Sequence, residues 1–127
     1  MSLRPGLSAI ATMVVTDTDT AVALRSGDVP ALATPRVVGL AEEASVQAVS
    51  GLLDDDQTTV GFRVQLDHLA PTPIGGEVAA EATLESVESR RLTFRVSVTD
   101  GRGLVAAGRI TRVVVDRQRF LDRAAGG

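Results

Sequence analysis

Cysteine, lysine, tryptophan and tyrosine are all missing from this 127-residue chain, and histidine occurs once. Each absence removes chemistry. Without cysteine there is no thiol nucleophile, no disulfide framework and no zinc-thiolate site. All 13 basic residues are arginine, which excludes a lysine Schiff base and a P-loop lysine. One histidine cannot build a multi-histidine metal centre within the chain. Aromatics are only 2% against 44% apolar residues, so the core must be made of Ala, Val, Leu and Ile. A net charge of -3 without stacking aromatics argues against nucleic acid as a partner. No apolar run approaches the roughly 18 residues of a membrane span. Residues 2–20 lack a signal pattern, being broken by Pro5 and Gly6, so a cytoplasmic protein is expected. No G-x-S-x-G elbow is present. Carboxylate, hydroxyl and imidazole chemistry remain, or plain binding.

The length suits one domain over residues 1–127, able to bury roughly two-thirds of its unfolded surface. A first strand is expected over residues 9–15 and a loose segment over 25–33, marked by Gly27 and Pro30. The one convincing helix runs from about Pro35 to about Leu53, with Val37, Leu40, Ala41, Ala44, Ala48 and Leu52 on one face. Asp54, Asp55 and Asp56 end it as a solvated turn. Strands follow over residues 58–69, 77–88, 92–98 and 104–115. Asp100-Gly101 marks a hairpin and residues 116–127 a charged tail expected to fray. One strand, one apolar helix and an antiparallel meander of four strands form an α+β layout. Wrapping a curved five-stranded antiparallel sheet around a long central helix gives the hotdog architecture.

Four positions stand out within that layout. Val60, Phe62, Val64, Leu66 and His68 alternate in one phase, which sets the single histidine at the end of an apolar stripe. Gly61 interrupts this strand, implying either close approach by another group or a β-bulge. Arg112 shares the apolar phase of Leu104, Ala106 and Ile110, so it needs a partner: Glu42, a substrate, or solvent at a strand end. Thr34 precedes Pro35, which reads equally as an ordinary helix N-cap.

Three stretches carry a family resemblance: Thr34-Pro35-Arg36-Val37-Val38-Gly39-Leu40-Ala41-Glu42, residues 61–73 and residues 108–112. Together they resemble the fluoroacetyl-CoA thioesterase-like hotdog family, and the similarity extends over about residues 4–120. The resemblance implies Thr34, Glu42 and His68 as the catalytic group. It also implies Gly61 lining the acyl pocket, Arg112 beside it, and a homodimer with sites at the protomer interface. An acyl-CoA thioesterase acting on a small acyl group follows, with coenzyme A entering only as part of the substrate and no metal or other cofactor. Glu42 would serve as nucleophile or as general base. Family members dedicated to fluoroacetate carry aromatics before the threonine; residues 25–33 have none, so fluoroacetyl specificity is not expected. The competing expectation is a non-catalytic acyl-CoA-binding hotdog protein.

A helix of eight residues between Thr34 and Glu42 would separate them by about 12 Å along its axis. Either the helix starts later, or Thr34 serves a site assembled with a second protomer.

Overall fold

The computed structural model describes residues 3–127. Five strands, β1 (Ser8–Val14), β2 (Gln57–His68), β3 (Glu77–Glu88), β4 (Arg91–Asp100) and β5 (Gly103–Asp116), make one antiparallel sheet. The long helix α2 (Thr34–Ala48) packs across one face of it, the expected α+β hotdog arrangement. Two shorter helices, α1 (Ala21–Leu24) and α3 (Arg117–Ala124), flank this unit.

Period-two sequence makes the sheet's core. Val78, Ala80, Ala82 and Leu84 on β3 face α2 with Leu92, Phe94, Val96 and Val98 on β4, all at most 1% exposed. Their neighbours Glu81, Thr83, Arg95 and Ser97 face the other way. From α2 come Val37, Leu40, Ala41, Ala44 and Ala48, whose alanines let the helix backbone lie close to the sheet. Ser45 is buried among them, and its hydroxyl donates to the Ala41 carbonyl at 2.9 Å, so its polar group is satisfied. The outer face is solvated and charged, with Glu85 accepting from Arg109 at 2.8 Å.

Five features differ from the sequence expectations. The helix stops at Ala48 rather than near Leu53: Val49 leaves the helical region and Gly51 takes a left-handed φ of 80°. The strands after α2 are not a four-strand meander. The order is β1-β3-β4-β5-β2, so β2 lies at the far edge beside β5 and only β3, β4 and β5 follow one another. A bulge between Gly61 and Arg63 inverts the phase of β2. Val60 pairs with Val113 while Val64 pairs with Ile110, so Val60 and Val64 face opposite ways and the stripe reaching His68 begins only at Val64. Leu104 is 48% exposed, because a second irregularity in β5 turns Val105 inward in its place. Finally, the tail is helical: Asp116 caps α3 by accepting the Arg119 N–H at 2.9 Å, and Gln118 bonds Asp122 one turn on.

Gly108 on β5 shows why the β2 pairing tolerates no side chain there. A Cβ would collide with the Gln65 carbonyl oxygen of β2. Among the described residues no helix is long and apolar enough to cross a membrane.

Candidate active site

Helix α2 begins at Thr34, with Ala33 as N-cap and Pro35 in its first turn, where a missing N–H is harmless. Thr34 is therefore not the cap, and its hydroxyl is free of that duty. It meets the His68 ring instead, with Oγ1 2.8 Å from Nδ1. Strand β2 ends at His68, which pairs with Ala106, and the chain is anchored just beyond by the Leu69 N–H donating to the Val105 carbonyl at 2.7 Å. The other ring nitrogen, Nε2, is buried and has no hydrogen-bond partner. If Nδ1 accepts from the threonine hydroxyl, Nε2 carries the proton; if Nδ1 donates, Nε2 offers a lone pair. Either tautomer leaves Nε2 as the unspent atom.

A cavity of about 330 Å³ opens at this pair, lined among others by Ala21, Ser26, Val29, Leu32 and Leu69. Its wall is the segment that sequence marks as loose. That segment is tied down: Leu32 pairs with Thr20, Ala31 with Pro73, and the Leu32 N–H donates to the Thr72 carbonyl at 2.9 Å. Thr72 is itself buried and donates to Asp100 at 2.8 Å, linking the wall to the β4–β5 hairpin. No aromatic residue lines this cavity.

Two helical turns along α2, Glu42 meets Arg112 of β5, with Nη1 donating to Oε2 at 2.9 Å. The arginine is buried and the carboxylate about one-third exposed. Of the partners open to Arg112, the structure selects Glu42. Both readings of Gly61 hold together. It borders the bulge, and a Cβ on it would stand 2.8 Å from Glu42 Oε2 and 3.7 Å from Arg112 Nη1. Glycine lets the ion pair lie against the backbone here, where a side chain would displace the carboxylate. Thr59, which sequence reasoning passed over, completes the group by accepting two hydrogen bonds from Arg112, at Oγ1 and at its carbonyl, both 3.0 Å. Alternation pointed the wrong way for it, because the stripe read from the sequence put Val60 inward, whereas the bulge leaves Thr59 and Gly61 facing α2.

The five expected residues thus form two groups, Thr34 with His68 and Glu42 with Gly61 and Arg112. Because α2 starts at Thr34, a late helix start is excluded, and the two groups stay about 12 Å apart along the axis. Other arginines near the helix start and the β2–β3 connection are already engaged. Arg36 binds Asp19 at 3.1 Å, and Arg102 donates to the Pro71 carbonyl at 2.7 Å. Burial alone would raise the Asp19 carboxyl, but the Thr16 N–H and hydroxyl and the Arg36 guanidinium together hold it below its ordinary value. Among the described residues, no three His, Asp or Glu side chains converge as metal ligands.

Known proteins share this architecture. The family model for fluoroacetyl-CoA-specific thioesterases matches residues 15–118. The fluoroacetyl-CoA thioesterase of Streptantibioticus cattleyicolor is 39% identical over 88 residues, covering 69% of this chain and 63% of that relative, so the match spans less than two-thirds of the relative's length. A solved fluoroacetyl-CoA thioesterase superposes with a TM-score of 0.94 at 30% identity, over 99% of this chain and 98% of that one. A hot-dog-like protein from Thermanaerovibrio acidaminovorans superposes at 0.89 with 26% identity, over 98% and 92%. With the model spanning both residue groups on α2 and the strands that face them, the chain belongs to the fluoroacetyl-CoA-specific thioesterase family.

Proposed function

We propose that the protein is a cytoplasmic bacterial thioesterase that hydrolyses small acyl-CoA thioesters as a homodimer. Thr34, Glu42 and His68 are its catalytic residues, and Gly61 and Arg112 border the acyl group. The observation that carries this reading is the Thr34–His68 contact of 2.8 Å beside a cavity, with a ring nitrogen left unspent. A binding module has no use for an imidazole held in this way.

Two routes balance. With Glu42 as general base, the carboxylate takes a proton from water and the hydroxide adds to the thioester carbon. The tetrahedral oxyanion collapses, the C–S bond breaks, and a proton passes from Glu42, by way of solvent and His68, to the departing CoA thiolate. With Glu42 as nucleophile, its oxygen attacks the same carbon, thiolate leaves, and water hydrolyses the resulting mixed anhydride. Arg112 occupies Oε2, which leaves Oε1 for either task. In the first turn of α2 Pro35 has no N–H and those of Arg36 and Val37 donate to the Ala33 carbonyl, which leaves the Thr34 N–H as a donor for the oxyanion. No cofactor beyond the CoA of the substrate enters the scheme.

The support for a dimer is the bare edge of β2. Residues 61–65 are exposed, Phe62 by 49% and Val64 by 42%, although Val64 faces the helix side of the sheet. An edge strand of 12 residues, paired on one side only, is a template for a second copy. The absence of aromatics around the cavity favours small acyl groups other than fluoroacetyl.

Thiol release from acetyl-, fluoroacetyl-, medium-chain and arylacetyl-CoA tests the proposal, with Glu42→Ala and His68→Ala beside the unaltered protein. Turnover of one class, reduced by about 10²- to 10⁴-fold in both variants, is expected. Near-normal turnover by Glu42→Ala would overturn its assignment. Tight binding with no release would make the protein a non-catalytic acyl-CoA binder.

A further inference from the structure

Arg112 is held by more than its ion pair. The Nε–H and one Nη2–H leave the same edge of the planar guanidinium. Both end on a single residue: Nε donates to Thr59 Oγ1 and Nη2 to the Thr59 carbonyl, each at 3.0 Å. The opposite end, Nη1, donates to Glu42 Oε2 at 2.9 Å. Arg112 is 8% exposed and Thr59 9%, so water does not compete freely for these donors. A long, flexible side chain is thereby fixed in a single plane, and that plane sets where the carboxylate sits. Gly61 bounds the carboxylate from the flank, where an added Cβ would stand 2.8 Å from Oε2. Only serine or threonine at this point of β2 offers a hydroxyl and a carbonyl together to one guanidinium edge.

We propose that Thr59 is a positioning residue for thioester hydrolysis, its hydroxyl and carbonyl gripping Arg112 so that Glu42 is held by Oε2 and presents Oε1 to the reacting group. The proposal deepens the thioesterase reading and rests on it. Thr59 touches neither substrate nor water in this scheme, and its whole effect passes through Arg112 to Glu42. Loss of the hydroxyl leaves Nε–H without a partner and lets the guanidinium turn about its remaining contacts. A misplaced carboxylate slows chemistry more than it weakens capture of the CoA thioester.

The test compares Thr59→Val, which keeps the shape and removes the acceptor, with Thr59→Ser, which keeps the hydroxyl. For the best acyl-CoA of the panel, Thr59→Val is expected to lower kcat by about tenfold or more with KM within about twofold, and Thr59→Ser to recover most of kcat. A kcat within about twofold of normal in Thr59→Val, or equal losses in Val and Ser, would overturn the proposal. Hydrogen exchange at the Arg112 Nε–H, followed by ¹⁵N NMR, reads the grip without any turnover. It should be slow in the unaltered and Ser proteins and fast in Val; fast exchange in the unaltered protein refutes the grip itself. If no acyl-CoA is turned over, the thioesterase reading fails while this exchange measurement still judges the contact. Should Thr59→Val not fold, Thr59→Ala carries the same readouts.

Discussion

Replacing Gly61 by alanine is a one-methyl perturbation aimed at the Glu42–Arg112 pair. The added Cβ would stand 2.8 Å from Glu42 Oε2, so the oxygen must retreat by roughly 0.5 Å to an ordinary contact. That Cβ would also lie 3.7 Å from Arg112 Nη1, so the oxygen retreats nearly sideways to its 2.9 Å bond with Nη1, which is bent and lengthened only to about 3.0 Å. A hydrogen bond between charged groups contributes about 1.5–3 kcal/mol. Gly61 does not take a left-handed φ, so alanine fits the backbone and stiffens the unfolded chain, returning about 0.4–1 kcal/mol. Forfeiting about half of that bond against this gain leaves a net loss of at most about 1 kcal/mol, a fall in Tm of no more than roughly 4 °C for a domain of this size. In a Glu42→Ala background the obstacle is gone, and the same alanine should raise Tm by roughly 2–4 °C. Thermal melts at one fixed protein concentration, read by far-ultraviolet circular dichroism, measure both. Equal destabilisation in the two backgrounds would show that Gly61 is required by something other than the carboxylate.

Acid should act through three carboxyls outside the site. Asp100 is held low by the Arg102 N–H and the Thr72 hydroxyl, Glu85 chiefly by Arg109, and Asp19 by Thr16 and Arg36 despite its burial. Each folded value lies below the unfolded one, so their stabilisation is complete above the ordinary carboxylate range and is lost as pH falls through the lowered values. Tm should be level from neutral to about pH 5 and drop below about pH 4, less steeply in Asp100→Asn; a drop already at pH 6 would point to another group. Removing residues 117–127 should shift Tm by no more than about 4 °C, because α3 buries no side chain and gives up mainly the Arg117 N–H bond to the Asp56 carbonyl. A larger loss, seen in melts of the truncated protein, would mean that α3 is covered in the assembled molecule.

Much of this was readable before any coordinates, for reasons that can be named. Helix α2 and strands β3 and β4 follow from clean periodicity, because each buries one face and exposes the other. Family resemblance singled out Thr34, Glu42, His68, Gly61 and Arg112 as candidates, and phase also pointed to Arg112, but neither foretold their division into two groups. What escaped was non-local. Alternation cannot reveal that an extra residue at Phe62 reverses the phase of β2, since both halves alternate correctly by themselves. Nor can it say which edge β2 takes, because its pairing with β5 is settled by contacts about 50 residues apart. Thr59 was invisible for a related reason: a threonine in a strand is ordinary until the guanidinium that binds it is placed.

The bulge has a consequence for how such a protein diversifies. Gly61 pairs with Arg112 and Arg63 with Thr111, so Phe62 is supernumerary to the ladder. Its loss would shorten β2 by one residue without turning any side chain to the other face. With the register held, Gly61 stays opposite Arg112 and His68 opposite Ala106, so β5 fixes the span between the two residue groups whatever the length of the bulge. A lineage can therefore gain or lose one residue on this edge strand, and change what the edge presents at Phe62, without moving either group.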